Sequence, residues 1–169
     1  EFRRVLFRSS IGLHQVARAE DLRRRREAIA RRYLAAFTEL AVDLPDDPTD
    51  RIHAWHLFPI RMTGDVDGGS RDLLISELKA RGIGTSVHWR PLHLQPYYQE
   101  TFGWRPDDLP VATTEWQRLV SLPLFPAMTE EEVTLTIDAV RESIRVITSP
   151  SSNIASRQDL VSQIGRAHV

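Results

Sequence analysis

Leu78-Lys79-Ala80-Arg81-Gly82-Ile83-Gly84-Thr85-Ser86-Val87-His88 passes from a helical to an extended pattern across one glycine. Upstream of that glycine, Ser70 is placed to cap a helix over residues 71–81. Asp72 falls in the first turn, where a negative charge complements the helix dipole, and Leu73, Leu74 and Leu78 supply a buried face. Gly82 follows the last turn, the place where a left-handed residue commonly stops a helix. Downstream, residues 83–89 read as a strand. A helix that feeds a strand through so short a stop implies an α/β unit, a small sheet covered by helices.

The flanks agree with that layout. Residues 53–62 read as an aromatic and aliphatic strand, in which Pro59 requires an edge or a bulge because it cannot donate to a ladder. Residues 64–69 form a polar loop. Further upstream, residues 13–40 are helix-like, with Ile29, Tyr33, Ala36, Phe37 and Leu40 on one face. Leu44-Pro45-Asp46-Asp47-Pro48 ends that helix in a loop. On the other side, residues 91–103 form a loop with a short helix near 97–102, followed by a helix over 111–120. Ser121-Leu122-Pro123-Leu124-Phe125-Pro126 is extended and apolar. Thr129-Glu130-Glu131-Glu132 matches a capping box, opening a helix that carries Val133, Ile137, Val140 and Ile144.

Composition limits the function classes. The chain has 169 residues, 41% hydrophobic and 27% charged, enough for one packed domain with or without a tail. There is no cysteine, hence no disulfide, thiolate metal site or cysteine nucleophile. No apolar run approaches the roughly 20 residues of a membrane helix. The first residues are charged rather than signal-like, so a cytoplasmic location is expected. A net charge of −1 argues against wholesale nucleic-acid binding. Lys79 is the sole lysine, so any amine chemistry must use it or come from elsewhere.

Both ends are set apart from the fold. Arg3-Arg4-Val5-Leu6-Phe7-Arg8-Ser9 reads as a translated sequencing adapter, and Ile164-Gly165-Arg166-Ala167-His168-Val169 as its reverse complement. The expected division is residues 1–10 and 164–169 as such artefacts and 11–40 as a connecting helix. Residues 41–147 then form a small domain and 148–163 a tail, with the parent protein extending upstream.

The densest polar cluster is Gly82-Ile83-Gly84-Thr85-Ser86-Val87-His88-Trp89-Arg90-Pro91-Leu92-His93, with two histidines, an arginine and a tryptophan at the end of the strand. Imidazoles suit a substrate hydroxyl or phosphate, and a guanidinium suits a carboxylate or phosphate. From the residues alone, a turn whose histidines bond backbone carbonyls is an equal reading. His53, His56, His88 and His93 lack the spacing of a metal site, so none is expected. No nucleophile elbow, P-loop or dinucleotide fingerprint is present. Arg23-Arg24-Arg25-Arg26 is interleaved with Glu20, Asp21 and Glu27 and reads as a solvated helix face. Tyr97, Tyr98 and Trp104 suit either a sugar or base pocket or core packing.

Residues 11–144 resemble the C-terminal part of the DegT/DnrJ/StrS sugar aminotransferases. The likeness is carried by His53-Ala54-Trp55-His56-Leu57-Phe58-Pro59-Ile60-Arg61, by residues 78–88, by Arg90-Pro91-Leu92-His93 with Tyr97-Tyr98, and by residues 121–126 with Met128-Thr129. Within the family the chain looks most like enzymes that make UDP-4-amino-4-deoxy-L-arabinose.

The resemblance implies the small C-terminal domain of a type I aspartate-aminotransferase-like fold, preceded by a long connecting helix. Pyridoxal 5′-phosphate would be held mainly by an upstream domain, whose lysine and acidic residue make the ring an electron sink. The parent, expected to be a homodimer, would move an amino group from glutamate to a 4-keto nucleotide sugar for lipopolysaccharide, other cell-surface or secondary-metabolite amino sugars. Lys79 lies in a polar helix end, not the desolvated setting of a cofactor lysine, so no catalytic residue is expected here and the isolated chain should not transaminate. The expected substrate-facing residues are His88, His93 and Arg90. The alternatives are a non-catalytic sugar-nucleotide-binding or regulatory module of the same fold, and a nucleic-acid binder using Arg23–Arg26.

Overall fold

The structure is a computed structural model that describes residues 2–64 and 69–149, with side chains from residue 11 onward. The segment 164–169 and nearly all of the expected tail lie outside the described residues. In chain order the elements are α1 (Phe2–Phe37), β1 (Val42–Asp43), β2 (Phe58–Met62), α2 (Gly69–Ala80), α3 (Pro96–Phe102), α4 (Pro110–Arg118), β3 (Leu119–Leu122) and α5 (Glu130–Thr148). Short 3₁₀ turns at Leu92–Leu94 and Pro106–Asp108 precede α3 and α4. The three strands form one antiparallel sheet in the order β1-β2-β3. This is the α/β unit with a small, helix-covered sheet that the sequence implies.

The core forms where apolar periodicities meet. Phe58, Ile60 and Met62 alternate inward along β2. Leu74 and Leu78 of α2, and Val133, Ile137, Val140 and Ile144 of α5, close over the sheet. Ile29, Tyr33 and Phe37 of α1 join the same core, whereas Leu13 and Val16 stay exposed. Each large side chain buried this way contributes about 1.5–3 kcal/mol, so the last turns of α1, not its whole length, fasten it. Tyr33 stacks on Phe37 with ring centroids 5.5 Å apart and meets Phe58 edge-on at 5.1 Å. Its hydroxyl donates to the Pro123 carbonyl at 3.0 Å, which ties α1 to the segment leaving β3.

The termini of α2 and α5 follow their sequence signals. At the end of α2, Gly82 has φ +77°, its N–H bonds the Lys79 carbonyl, and the Ile83 N–H reaches back to the Leu78 carbonyl at 2.9 Å. That paired pattern, with Ile83 and Leu78 both in the core, is a Schellman stop. At α5, the Thr129 N–H donates to Glu132 Oε2 at 2.8 Å and the Glu132 N–H donates to Thr129 Oγ1 at 3.2 Å, the expected capping box.

Several expected boundaries are corrected. α2 begins at Gly69, so Ser70 is its second residue rather than its cap. α1 ends at Phe37 rather than Leu40, and Val42–Asp43, to which no element was assigned, is a strand. The strand expected over 53–62 is only β2. Before it, Trp55 takes φ +47° and is buried, with its N–H bonded to His53 Nδ1 at 2.9 Å. The strand expected over 83–89 is a single bridge between Ser86 and Ser121, because only that residue meets the outer edge of β3. The helix expected over 111–120 stops at Arg118. Arg118 Nε donates to the Met62 carbonyl at 2.8 Å and Nη1 pairs with Glu115 at 3.2 Å, which leaves Leu119 and Val120 to the sheet.

Pro59 meets the demand placed on it. Ser121, its partner across β2–β3, spends its N–H and carbonyl on Ser86, at 2.7 and 3.1 Å. Pro59 therefore faces the opposite side, where β1 reaches only as far as Arg61.

Candidate functional site

Ser121 sits on β3 with its side chain 3% exposed. Its two backbone bonds to Ser86 draw residues 84–88 along the sheet edge, and its Oγ meets His88 Nδ1 at 3.0 Å. Around this contact lies an open cleft of about 200 Å³, lined by His56, Gly84, Ser86, His88, Ser121 and the 122–124 segment. Two histidines and two serines line one small volume, a set that suits hydroxyl or phosphate oxygens rather than an apolar ligand. His88 is half-buried, Trp89 meets its ring edge-on at 4.8 Å, and a cis peptide links the two.

Arg90 is exposed and lies over the Trp116 indole, with Cζ 5.8 Å from the ring centroid. Among the described residues no carboxylate pairs with it, so its guanidinium is open to an anion. Arg71 lies over the same indole at 5.3 Å.

His93 is placed differently. It is 1% exposed, and its Nε2 lies 2.8 Å from Thr113 Oγ1. Thr113 in turn donates toward the Pro106 and Leu109 carbonyls, at 2.8 and 3.1 Å. With its own hydrogen spent there, Thr113 accepts from His93 Nε2–H. His93 thus fastens the 92–94 turn to α4. The three sequence-derived residues do not converge: His88 lines the cleft, Arg90 rests on α4 beside it, and His93 is inside.

Other residues weighed from the sequence separate too. His53 lines a second hollow with Arg23, Glu27 and Arg31, which shares no lining residue with the His56 cleft. Among the described residues no group of three or more His, Asp or Glu is placed to hold a metal ion. Arg23 is matched by Glu20 at 2.7 Å and Glu27 at 2.8 Å, and Arg25 by Asp21 at 3.0 Å. Hydrogen bonds from Arg23 to Glu20, and from Arg31 and Arg23 to Glu27, hold these carboxyls below their ordinary range. The basic block is a self-neutralised helix face. Tyr98 stacks on Trp104 at 5.6 Å, and Phe102 joins them, an exposed aromatic group rather than a pocket wall.

Sequence reasoning missed Ser121 and Trp116 as site residues. Ser121 carried a readable signal, a hydroxyl between the core residues Val120 and Leu122 of a short apolar strand and so on its other face. Trp116 had none, because its role depends on two arginines from other segments.

Residues 5–141 match the DegT/DnrJ/EryC1/StrS aminotransferase family. The chain belongs to that family. Among its relatives, the spore coat polysaccharide biosynthesis protein SpsC of Bacillus subtilis is 40% identical over 139 residues, covering 81% of this chain and 36% of SpsC. Spr1654 of Streptococcus pneumoniae superposes with a TM-score of 0.78 at 28% identity, covering 85% of this chain and 36% of that one; it is known in apo, PMP and PLP forms. DesV of S. venezuelae, solved in complex with a ketimine intermediate, gives 0.67 at 35% identity over 76% of this chain and 33% of DesV. This family member thus spans about a third of the length of the relatives it matches. Its only lysine, Lys79, is exposed at the end of α2. Among the described residues no helix is long and apolar enough to cross a membrane.

Proposed function

We propose that this chain is the small C-terminal domain and connecting helix of a pyridoxal-phosphate-dependent sugar aminotransferase. The parent transfers an amino group from glutamate to a 4-keto nucleotide sugar, of the UDP-4-amino-4-deoxy-L-arabinose type, as a cytoplasmic homodimer. Family membership supports the reaction class, and the polysaccharide role in the name of SpsC supports a cell-surface product. The cofactor's lysine, its acidic partner and its phosphate cup belong to polypeptide outside this chain, and the chain alone is inactive.

The observation that carries the local part of this reading is the His88 cleft, within the family-matched stretch. The two imidazoles and the Ser86 hydroxyl there bind the oxygens of the nucleotide sugar. Arg90, free of carboxylates, takes a phosphate of the nucleotide or the carboxylate of the amino donor. His93 contributes from inside, by fixing the turn that follows Arg90.

In the intact enzyme, His88→Ala is expected to raise KM for the keto sugar nucleotide about tenfold, the loss of one to two hydrogen bonds to ligand. An unchanged KM removes His88 from the site. For the isolated chain, mixing with pyridoxal phosphate should give no lysine-adduct absorbance. An adduct that disappears in Lys79→Ala overturns the assignment of the anchor to another segment.

A further inference from the structure

We infer that Ser121 is the positioning residue for His88: it holds the imidazole in the Nε2–H form, so that the cleft offers a hydrogen-bond donor and selects a ligand oxygen that only accepts. The inference deepens the reading of His88 as substrate-facing and rests on it. The argument is a count of hydrogens. Ser121 Oγ has one partner among the described residues, His88 Nδ1 at 3.0 Å, and the side chain is too buried for water to serve freely. A hydroxyl so enclosed needs an acceptor for its hydrogen. If Nδ1 carried the ring hydrogen, Ser121 would accept it and its own hydrogen would be stranded. If Ser121 donates to Nδ1, both groups are satisfied and the ring hydrogen resides on Nε2. Nε2 makes no bond among the described residues, and His88 lines the cleft. The serine is itself fixed, because both its backbone groups are clamped by Ser86.

The ligand chemistry follows. A donor at Nε2 suits a phosphate oxygen, a carbonyl or a hydroxyl used as acceptor, and disfavours an ammonium or amide N–H. A site that orients a sugar nucleotide before its amine is installed is thereby biased toward the keto compound over the amino product.

The test is long-range ¹⁵N–¹H NMR on the whole chain, with His88 assigned by its loss in His88→Gln. In the neutral ring, wild type should show a single Nε2–H tautomer. In Ser121→Ala, which leaves the Ser86 backbone bonds in place, the two nitrogen resonances should move toward each other as the second tautomer appears. An Nδ1–H ring in wild type overturns the inference whether or not the variant folds, as does a Ser121→Ala spectrum like that of wild type. In the intact enzyme, Ser121→Ala should raise KM for the keto substrate about fivefold, as for one neutral hydrogen bond, with kcat little changed. A kcat loss at constant KM overturns the positioning role. If the tautomer result holds while His88→Ala leaves KM unchanged, Ser121 orients His88 but the substrate reading of the cleft is wrong.

Discussion

Thr113 accepts the Nε2 hydrogen of His93 and passes its own to the carbonyls of Pro106 and Leu109. Thr113→Val keeps the shape and strands a buried N–H, so it should lower the unfolding free energy by about 1–3 kcal/mol in urea denaturation. Tyr33 offers a test in pH. Burial pushes its phenol above the ordinary value of 10.0. The unfolded chain then ionises first, so the stability Tyr33 contributes is complete below that value and is lost as pH rises through and beyond it. Tyr33→Phe should make the alkaline fall in stability shallower, read from melting temperatures across that range. At this scale the sequence was partly legible. The types His88, Arg90 and His93 mark polar chemistry, but residue type does not distinguish an imidazole in a cleft from one sealed by a threonine twenty positions away. That difference is set by where α4 lands.

The elements that could be read were those whose signal is local. The Thr129–Glu132 box is complete within four residues, and Thr129→Ala should cost about 1 kcal/mol, seen as a lower denaturation midpoint. Gly82 is equally local: an added Cβ would meet nothing within 4 Å, so the penalty at φ +77° is purely conformational. Gly82→Ala should destabilise by about 1–2 kcal/mol in the same assay. The elements that escaped notice depend on a distant neighbour. β1 has only two residues, too few for an alternation to show, and exists because Met62 and Arg61 are there to pair with it. Residues 83–89 have extended chemistry, yet only Ser86 finds a partner edge. Leu119 and Val120 continue the helical spacing of α4, and it is the grip of Asp43, Glu115 and Met62 on Arg118 that turns them into the sheet.

At the scale of the whole molecule, several large apolar side chains remain exposed among the described residues. Tyr97, Phe102 and Trp104 lie exposed as one aromatic group, and Trp89 is 79% exposed nearby in sequence. Apolar surface of this kind favours association. The chain should therefore scatter more light at increasing concentration than a Phe102→Gln, Trp104→Gln double variant, and equal scattering would show that the aromatic group is not adhesive. The long α1 is buried over its last turns, at Ile29, Ala30, Tyr33 and Phe37, and exposed at Ile11, Leu13 and Val16. The sheet carries an answer to a related hazard. Along residues 58–60 the β1 side of β2 has no strand paired to it among the described residues, and a strand added there would look for an amide hydrogen. Pro59 has none to give. One imino ring thus withholds, at that position, the donor an added strand would need to extend the sheet from β2.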